Sequence, residues 1–214
     1  GVGRRTRLNW APLDHQVFAQ AGYVYFMLDN RGTPDRGHAF ETALHRAMGG
    51  VEVEDQLAGL AFLQSLDFVA DNRIGIWGWS YGGYMSLMTP LQAPGAFAAA
   101  VSGAPVTDWA LYDTHYTERY MGTPQNNPEG YEQSSVFAHL DGWETPVLIM
   151  HGMADDNVVF ENSTRLFNTL QERDLPFEMM TYPGQPHGIR GEMRSRHRLR
   201  TMLDFFDRHL QPGE

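Results

Sequence analysis

Ser80 has the sequence surroundings of a catalytic nucleophile. It is the centre of residues 78–82, G-W-S-Y-G, a G-x-S-x-G pattern. Residues 73–77 before it read as a short buried strand, and the small residues 83–88 after it can open a helix. Such a strand-to-helix turn exposes the serine hydroxyl, and glycines two positions to either side let neighbouring backbone pass without a Cβ clash. The pattern predicts an activated serine, with an ordinary serine in a glycine-bracketed turn as the alternative.

A carboxylate and a histidine follow two later strand signals. The apolar run 146–150 is typical of a buried parallel strand and leads into residues 151–157, H-G-M-A-D-D-N, which contain Asp155 and Asp156. Residues 178–182 read as the next strand, and a turn-rich stretch leads from it to His187. Open α/β sheets collect their working groups at the carboxyl ends of the strands, so we expect these loops to lie beside Ser80.

These residue types suit acyl transfer through a covalent intermediate. A serine hydroxyl needs a base to take its proton as it attacks, so His187 is predicted to be that base and later to protonate the leaving group. Asp155 is predicted to orient the imidazole, and the chain order Ser, Asp, His is one that this arrangement uses. The sequence leaves Asp156 open as the alternative carboxylate. His151, at a strand end before a glycine, is predicted to hydrogen-bond the loop.

The elements that must position these residues alternate along the chain. Besides the strands already named, residues 23–28 and 98–102 read as strands. Apolar spacing predicts helices over 53–66, 160–173 and 194–209, and residues 124–130 read as a polar loop. This alternation predicts an α/β fold with a mostly parallel sheet and helices on both faces.

Composition narrows the chemistry further. The 214 residues contain no cysteine and no lysine, and the 16 basic residues are all arginine. Thiol catalysis, cysteine-ligated metals, a Schiff-base lysine and a Ser-Lys dyad are therefore excluded, which leaves histidine as the base. A net charge of −10 argues against nucleic acid and anionic membrane partners, and no apolar run approaches the ~20 residues of a membrane helix. No cofactor and no metal are expected.

Two patterns allow a structural as well as a functional interpretation. Arginines at 194, 196, 198 and 200 form a basic patch, but the apolar residues among them favour a solvated face of a terminal helix. Aromatic residues at 109, 112, 116 and 120 have the spacing of one helix face. Such stripes are typical of a core, so this spacing by itself favours packing over ligand binding.

Four segments together carry a resemblance to a known family. They are G-W-S-Y-G-G-Y at 78–84, H-G-M-A-D-D-N-V at 151–158, H-G-I at 187–189 and the tyrosine-rich block 104–122. They resemble the prolyl oligopeptidase family of serine peptidases, and within it the dipeptidyl peptidase IV branch. The sequence D-N-R-G at 29–32 is similar to that family's loop after an early strand. The resemblance extends from about Asn9 to Leu210.

The resemblance implies roles for individual residues. It implies Ser80, Asp155 and His187 as the catalytic triad, and it favours Asp155 over Asp156. The backbone N–H of Tyr81 would be an oxyanion donor, as the turn geometry also predicts. Asn157 resembles the residue that holds a carbonyl on the amino-terminal side of the substrate. A small pocket for proline would have as its walls Tyr81, Val106, Trp109, Tyr112, Tyr116 and Val158. A flat slot with aromatic walls suits a pyrrolidine ring.

The same resemblance implies the domain organisation. Residues 1–214 would form one catalytic domain of the α/β-hydrolase fold, without the first strands of that fold, as a fragment of a larger chain. The family's β-propeller, which binds the substrate's free amino group, and the tyrosine that is its second oxyanion donor have no counterpart in the sequence. Since one oxyanion donor is worth ~10²–10³ in rate, the segment by itself is expected to be weakly active.

The expected function is therefore that of a serine peptidase that releases N-terminal dipeptides with proline or alanine at the second position. Peptides are the expected partners, and the resemblance also suggests a homodimer and a periplasmic or cell-envelope location. An acylaminoacyl-peptidase or a carboxylesterase with the same triad is the alternative. A third reading is an inactive piece kept for docking or dimerisation.

Overall fold

A parallel four-stranded sheet organises the part of the chain that the computed structural model describes, which is Thr6 and residues 13–210. The strands are β1 (Gly75–Trp79), β2 (Ala99–Gly103), β3 (Val147–Gly152) and β4 (Glu178–Tyr182). They lie side by side in chain order, and each neighbouring pair is parallel. Parallel order sends the carboxyl ends of all four strands to one edge of the sheet.

Helices join and flank these strands. The described α-helices are α1 (Leu13–Gln20), α2 (His38–Glu41), α3 (Val51–Gln64), α4 (Tyr81–Gln92), α5 (Thr114–Met121), α6 (Pro128–Gln133), α7 (Glu161–Glu172) and α8 (Glu192–Leu210). Two 3₁₀ helices, Trp109–Leu111 and Val136–Gly142, lie in the long connection between β2 and β3. Among these described helices, none combines the length and the apolar character needed to cross a lipid bilayer.

The two central strands of the sheet are buried on both of their faces. Every residue of β2 and β3 is buried, which is the pattern of a parallel sheet covered on both sides. Successive strand residues point to opposite faces, so Ala100 and Ile149 pack with α4 and α7 in one core. Val101 and Leu148 pack with α8 in a second core. This arrangement confirms the predicted α/β fold with helices on both faces.

A close backbone contact places α4 directly on the sheet. A Cβ added to Gly83 would stand 2.3 Å from the carbonyl oxygen of Gly103 in β2, nearer than real Cβ atoms approach. Across the same contact, Ser102 Oγ donates to the carbonyl oxygen of Gly83 at 2.8 Å. The first turn of α4 is therefore held against the carboxyl end of β2.

Most elements predicted from the sequence are confirmed with boundaries shifted by at most two residues. The strands predicted at 73–77, 98–102, 146–150 and 178–182 are β1 to β4. The helices predicted at 53–66, 160–173 and 194–209 are α3, α7 and α8. Strong apolar periodicity identifies such elements, whereas their ends depend on local caps.

The strand predicted at 23–28 is wrong. These residues have no regular secondary structure, and within the described chain β1 pairs only with β2. An apolar cavity of about 780 Å³ is lined both by this segment, through Tyr25 and Phe26, and by Gly75 and Ile76 of β1. A strand requires a hydrogen-bonded neighbour, and sequence composition cannot show whether that neighbour is in place.

The loop predicted at 124–130 is also partly wrong, because α6 begins at Pro128. Proline suits the first turn of a helix, where the missing N–H would have no intrahelical partner. The single helix expected for the aromatic stripe is likewise two elements. The 3₁₀ helix Trp109–Leu111 ends at the extended Tyr112, and Asp113 then caps α5 by accepting from the N–H of Tyr116 at 2.8 Å.

The basic patch belongs to α8, as the favoured interpretation predicts. Arg194, Arg196 and Arg200 are exposed, whereas Arg198 is partly buried. The Arg198 guanidinium donates to Asp14 Oδ2 at 2.6 Å and lies 5.7 Å from the ring centre of Trp79. Arg198 thus packs α8 against α1 and against the end of β1.

Gly83→Ala is expected to lower the free energy of unfolding by about 1–3 kcal/mol, because its Cβ would overlap the backbone of β2. Denaturant unfolding measures this change. Gly82→Ala is the matched control, since a Cβ at that position meets nothing within 4 Å. The control should be neutral or stabilising by about 0.5–1 kcal/mol through helix propensity. Equal destabilisation by the two substitutions would contradict the proposed role of the contact.

Candidate active site

Ser80 lies in a strained turn between β1 and α4. Its φ of 63° and ψ of −120° are values that residues with a side chain seldom adopt. The Ser80 N–H donates to the carbonyl oxygen of Gly103 at 2.8 Å, and its own carbonyl accepts from the N–H of Tyr84 at 3.0 Å. These bonds to β2 and to the first turn of α4 hold the serine in its unusual conformation.

The two glycines that bracket Ser80 have different roles. A Cβ on Gly78 would stand 2.4 Å from the backbone carbon and oxygen of Gly82, so residue 78 must be glycine. A Cβ on Gly82 would meet nothing within 4 Å. The expectation that both glycines relieve a clash therefore holds for Gly78 alone. Gly83, one position later, is the residue in tight contact with β2.

The loops after β3 and β4 bring Asp155 and His187 to the edge where Ser80 lies. His187 Nδ1 donates to Asp155 Oδ2 at 2.8 Å. Trp79, which precedes Ser80, donates from its indole nitrogen to the carbonyl oxygen of His187 at 2.8 Å. In the described residues no hydrogen bond joins Ser80 Oγ to His187 Nε2. Catalytic hydrogen bonds are often long in the absence of substrate and tighten when it binds.

The carboxylate of Asp155 is buried and accepts four hydrogen bonds. Its side chain is 0% exposed, against 23% for His187. Oδ1 accepts from the N–H groups of Asn157 and Val158, each at 2.9 Å. Oδ2 accepts from His187 and from His151 Nε2, the latter at 3.1 Å. Burial alone would raise the pKa of Asp155, but these hydrogen bonds outweigh burial and hold its pKa well below the ordinary value.

The geometry supports Asp155 over Asp156. Asp156 is exposed, and the His187 ring donates its hydrogen bond to the neighbouring Asp155 instead. An exposed carboxylate stays hydrated and therefore orients an imidazole only weakly. A buried, ionised carboxylate makes stronger hydrogen bonds to its donors and so orients them more firmly.

His151 contacts the loop, as predicted, but it also contacts Asp155. Its Nε2 lies 2.9 Å from the carbonyl oxygen of Val158 and 3.1 Å from Asp155 Oδ2, so this nitrogen must carry a proton. Its Nδ1 lies 2.7 Å from the hydroxyl of Ser163 in α7. The Asp155 carboxylate is thus flanked by two histidines. Nothing in the H-G sequence at a strand end distinguishes this role from ordinary loop packing.

The aromatic residues predicted as pocket walls form one cluster around Trp109. The Trp109 ring centre lies 5.4 Å from that of Tyr81, 5.9 Å from that of Tyr112 and 6.1 Å from that of Tyr116. Tyr120, the last residue of the aromatic stripe, packs on Tyr116 with ring centres 4.9 Å apart. The stripe therefore stays together although its helix is broken.

Burial divides the predicted pocket walls into two groups. Trp109, Val106 and Val158 are almost completely buried and belong to the main core. Tyr81, Tyr112 and Tyr116 are only partly buried. The three tyrosines are therefore the members that a ligand could reach, with the other three packed behind them.

Asn157 links this cluster to the loop of Asp155. Its Oδ1 accepts from the hydroxyl of Tyr112 at 2.9 Å, while its backbone N–H donates to Asp155 Oδ1. One short loop after β3 thus carries both the carboxylate and an amide side chain at the aromatic cluster. Hydrogen bonds and ring contacts thus connect His187 through Asp155 and Asn157 to the aromatic cluster.

Asp155→Asn is expected to lower the free energy of unfolding by about 2 kcal/mol at pH 7, because a neutral amide cannot accept from all the donors around this buried position. A lowered native pKa stabilises the fold above the ordinary carboxyl pKa of about 4 and ceases to do so as the pH falls further. The difference between wild type and variant should therefore narrow below about pH 4. Denaturant unfolding across this pH range measures it.

Asp156→Asn is the matched control, since it makes the same chemical change one residue away at an exposed position. Asp156→Asn should change the free energy of unfolding by less than about 0.5 kcal/mol throughout this pH range. A gap between wild type and Asp155→Asn that stays constant down to pH 3 would refute the lowered pKa.

Comparison with known proteins finds relatives that are dipeptidyl peptidases. Dipeptidyl peptidase 8 of Mus musculus is 41% identical over 198 residues, which cover 91% of this chain and 22% of that protein. Dipeptidyl peptidase 4 of Bos taurus is 37% identical over 194 residues, which cover 89% of this chain and 25% of that protein. The crystal structure of Porphyromonas gingivalis dipeptidyl peptidase 4 superposes with a TM-score of 0.82 and 38% identity, covering 85% of this chain and 26% of that one.

The chain spans about a quarter of the length of these relatives. A model of the prolyl oligopeptidase family matches residues 10–213. The strained serine, the buried carboxylate and the histidine at one sheet edge agree with that match. Since the family model covers nearly all of its length, the chain belongs to the prolyl oligopeptidase family.

Proposed function

We propose that residues 1–214 form the catalytic domain of a longer serine dipeptidyl peptidase, which releases N-terminal dipeptides with proline or alanine at the second position. Family membership supports a serine hydrolase, and the relatives named above are dipeptidyl peptidases. The observation that carries the proposal is the His187–Asp155 hydrogen bond at the sheet edge where the strained Ser80 lies.

In the proposed acylation step, Ser80 Oγ attacks the carbonyl carbon of the scissile bond while His187 Nε2 takes the hydroxyl proton. The carbonyl oxygen becomes an anion and receives a hydrogen bond from the backbone N–H of Tyr81. The C–N bond then breaks, and the imidazolium gives its proton to the departing amine. Asp155 stabilises the imidazolium through the 2.8 Å bond to Nδ1.

In the proposed deacylation step, water attacks the ester on Ser80 and His187 takes a proton from that water. The bond between Oγ and the acyl carbon breaks, the proton returns to Oγ, and the dipeptide leaves as a carboxylic acid. Asp155 remains ionised throughout, which agrees with the direction of its pKa.

Substrate selection would depend on the aromatic cluster and on Asn157. The partly buried residues Tyr81, Tyr112 and Tyr116 offer aromatic walls that suit a pyrrolidine ring. The Asn157 Oδ1 already accepts from Tyr112. Its Nδ2 is therefore the group that would donate to a substrate carbonyl.

The test is hydrolysis of Gly-Pro-p-nitroanilide by the full-length protein, compared with its N-acetylated analogue and with Gly-Leu-p-nitroanilide. Only the first substrate should be cleaved efficiently. The pocket excludes the long side chain of leucine, and a dipeptidyl peptidase requires the free amino group that acetylation removes. Ser80→Ala should lower kcat at least ~10⁴-fold, since it removes the nucleophile of a triad that acts as a unit. Ser195→Ala, a serine on α8, is the control and should retain full activity.

Equal cleavage of the acetylated analogue would replace the proposal with an endopeptidase or an acylaminoacyl-peptidase. Hydrolysis of simple p-nitrophenyl esters without anilide cleavage would favour a carboxylesterase. If Ser80 failed to react with an alkyl fluorophosphonate in the full-length protein, the catalytic proposal itself would be rejected.

A further inference from the structure

Glu52 is a buried carboxylate outside the triad that contacts the residue after the nucleophile. It is the second residue of α3 and is 0% exposed. Its Oε1 accepts a short hydrogen bond from the hydroxyl of Tyr81. The N–H of Gly49 donates to Oε1 at 3.0 Å and to Oε2 at 3.1 Å. The polar sequence V-E-V-E-D at 51–55 shows no sign of a buried acid.

The hydrogen bond between these side chains has a definite direction. Burial, and secondarily the charge of Glu52, raise the pKa of Tyr81 well above its ordinary value. Burial also raises the pKa of Glu52, although hydrogen bonds from Tyr81 and from backbone N–H groups oppose this. Tyr81 therefore keeps its proton and donates, and Glu52 accepts.

Tyr81 is held at three points. Its backbone begins α4 directly after Ser80. Its ring packs against those of Trp109 and Tyr84, with centres 5.4 Å and 5.5 Å apart. Its hydroxyl, at the far end of the side chain, is held by Glu52. The third contact is the one that fixes how far the ring can tilt.

We propose that Glu52 is a positioning residue, which holds the Tyr81 hydroxyl and so fixes the ring that forms one wall of the site beside Ser80. Helix capping alone does not account for this residue, because a surface Ser, Thr or Asp could cap the helix without burying an acid. The identification of this wall as part of a proline pocket rests on the proposed function.

The anchor should act on the ring more than on the oxyanion donor. The N–H of Tyr81 is part of the first turn of α4, and that turn is held by the bond between Ser80 and Gly103 and by the Gly83 contact. Loss of the hydroxyl anchor leaves these backbone contacts intact. Reactions that use the pocket wall should therefore suffer, whereas reactions that need only Ser80 and His187 should not.

The experiment measures the rate at which two probes label Ser80 in the full-length protein. One is a diphenyl phosphonate analogue of Gly-Pro, which needs the pocket, and the other is a small alkyl fluorophosphonate, which does not. Glu52→Leu and Tyr81→Phe should each slow the Gly-Pro probe about tenfold, because each leaves a buried hydrogen-bonding group without its partner. Glu52→Leu should alter the rate of the small probe less than about twofold.

Two further variants separate positioning from folding. Glu52→Gln keeps a carbonyl acceptor in place and should recover part of the rate that Glu52→Leu loses. The double variant Glu52→Leu/Tyr81→Phe should be no slower than the slower single variant, since both remove the same interaction. Glu54→Gln is the matched control on the same helix, where the side chain is 70% exposed, and it should change neither rate.

Additive losses in the double variant, or equal losses with both probes, would overturn the proposal. If Glu52→Leu does not fold, Glu52→Gln still compares the two probes, and a smaller loss confined to the Gly-Pro probe is then the expected result. A wild-type protein that cleaves Gly-Pro and Gly-Leu anilides equally would reject the proposed specificity. Non-additive rates in the same protein would still support the role of Glu52, so the two proposals can fail separately.

Discussion

The carboxylate of Asp155 is the interaction on which the candidate site depends. Through its four donors it joins the loop after β3, the loop after β4 and, by way of His151 and Ser163, helix α7. A buried carboxylate is unfavourable unless its oxygens accept hydrogen bonds. Movement of any one donor away from Asp155 would therefore cost free energy, which keeps all four donors in position. The same hydrogen bonds that stabilise the charge therefore fix the imidazole of His187.

The position of Ser80, the proposed nucleophile, depends on backbone contacts instead of on charge. Ser80 holds a costly conformation because Gly103 accepts from its N–H while Gly83 lets α4 approach the same strand. Strain of about 1–3 kcal/mol persists only where the surroundings determine it this fully. The rigid sheet edge and the buried acid thus act together, because the first places the Ser80 hydroxyl and the second orients the imidazole of His187.

The pocket side of the site repeats this use of buried polar groups. Glu52 accepts from the Tyr81 hydroxyl and Asn157 accepts from that of Tyr112, so both side chains are anchored through their hydroxyl groups. The rings themselves pack on the buried Trp109. Aromatic packing supplies the surface, and hydrogen bonds to the hydroxyls fix its shape.

The sequence by itself determined the order of elements and the candidate residues Ser80, Asp155 and His187, because strand periodicity and turn chemistry are local properties. The tertiary structure alone decided the rest. Residues 23–28 have the composition of a strand but no neighbour to pair with, and the aromatic stripe keeps one face although Asp113 interrupts its helix. His151 and Glu52 acquire their roles from partners that local patterns cannot specify, since a hydrogen bond between distant residues depends on how the elements pack.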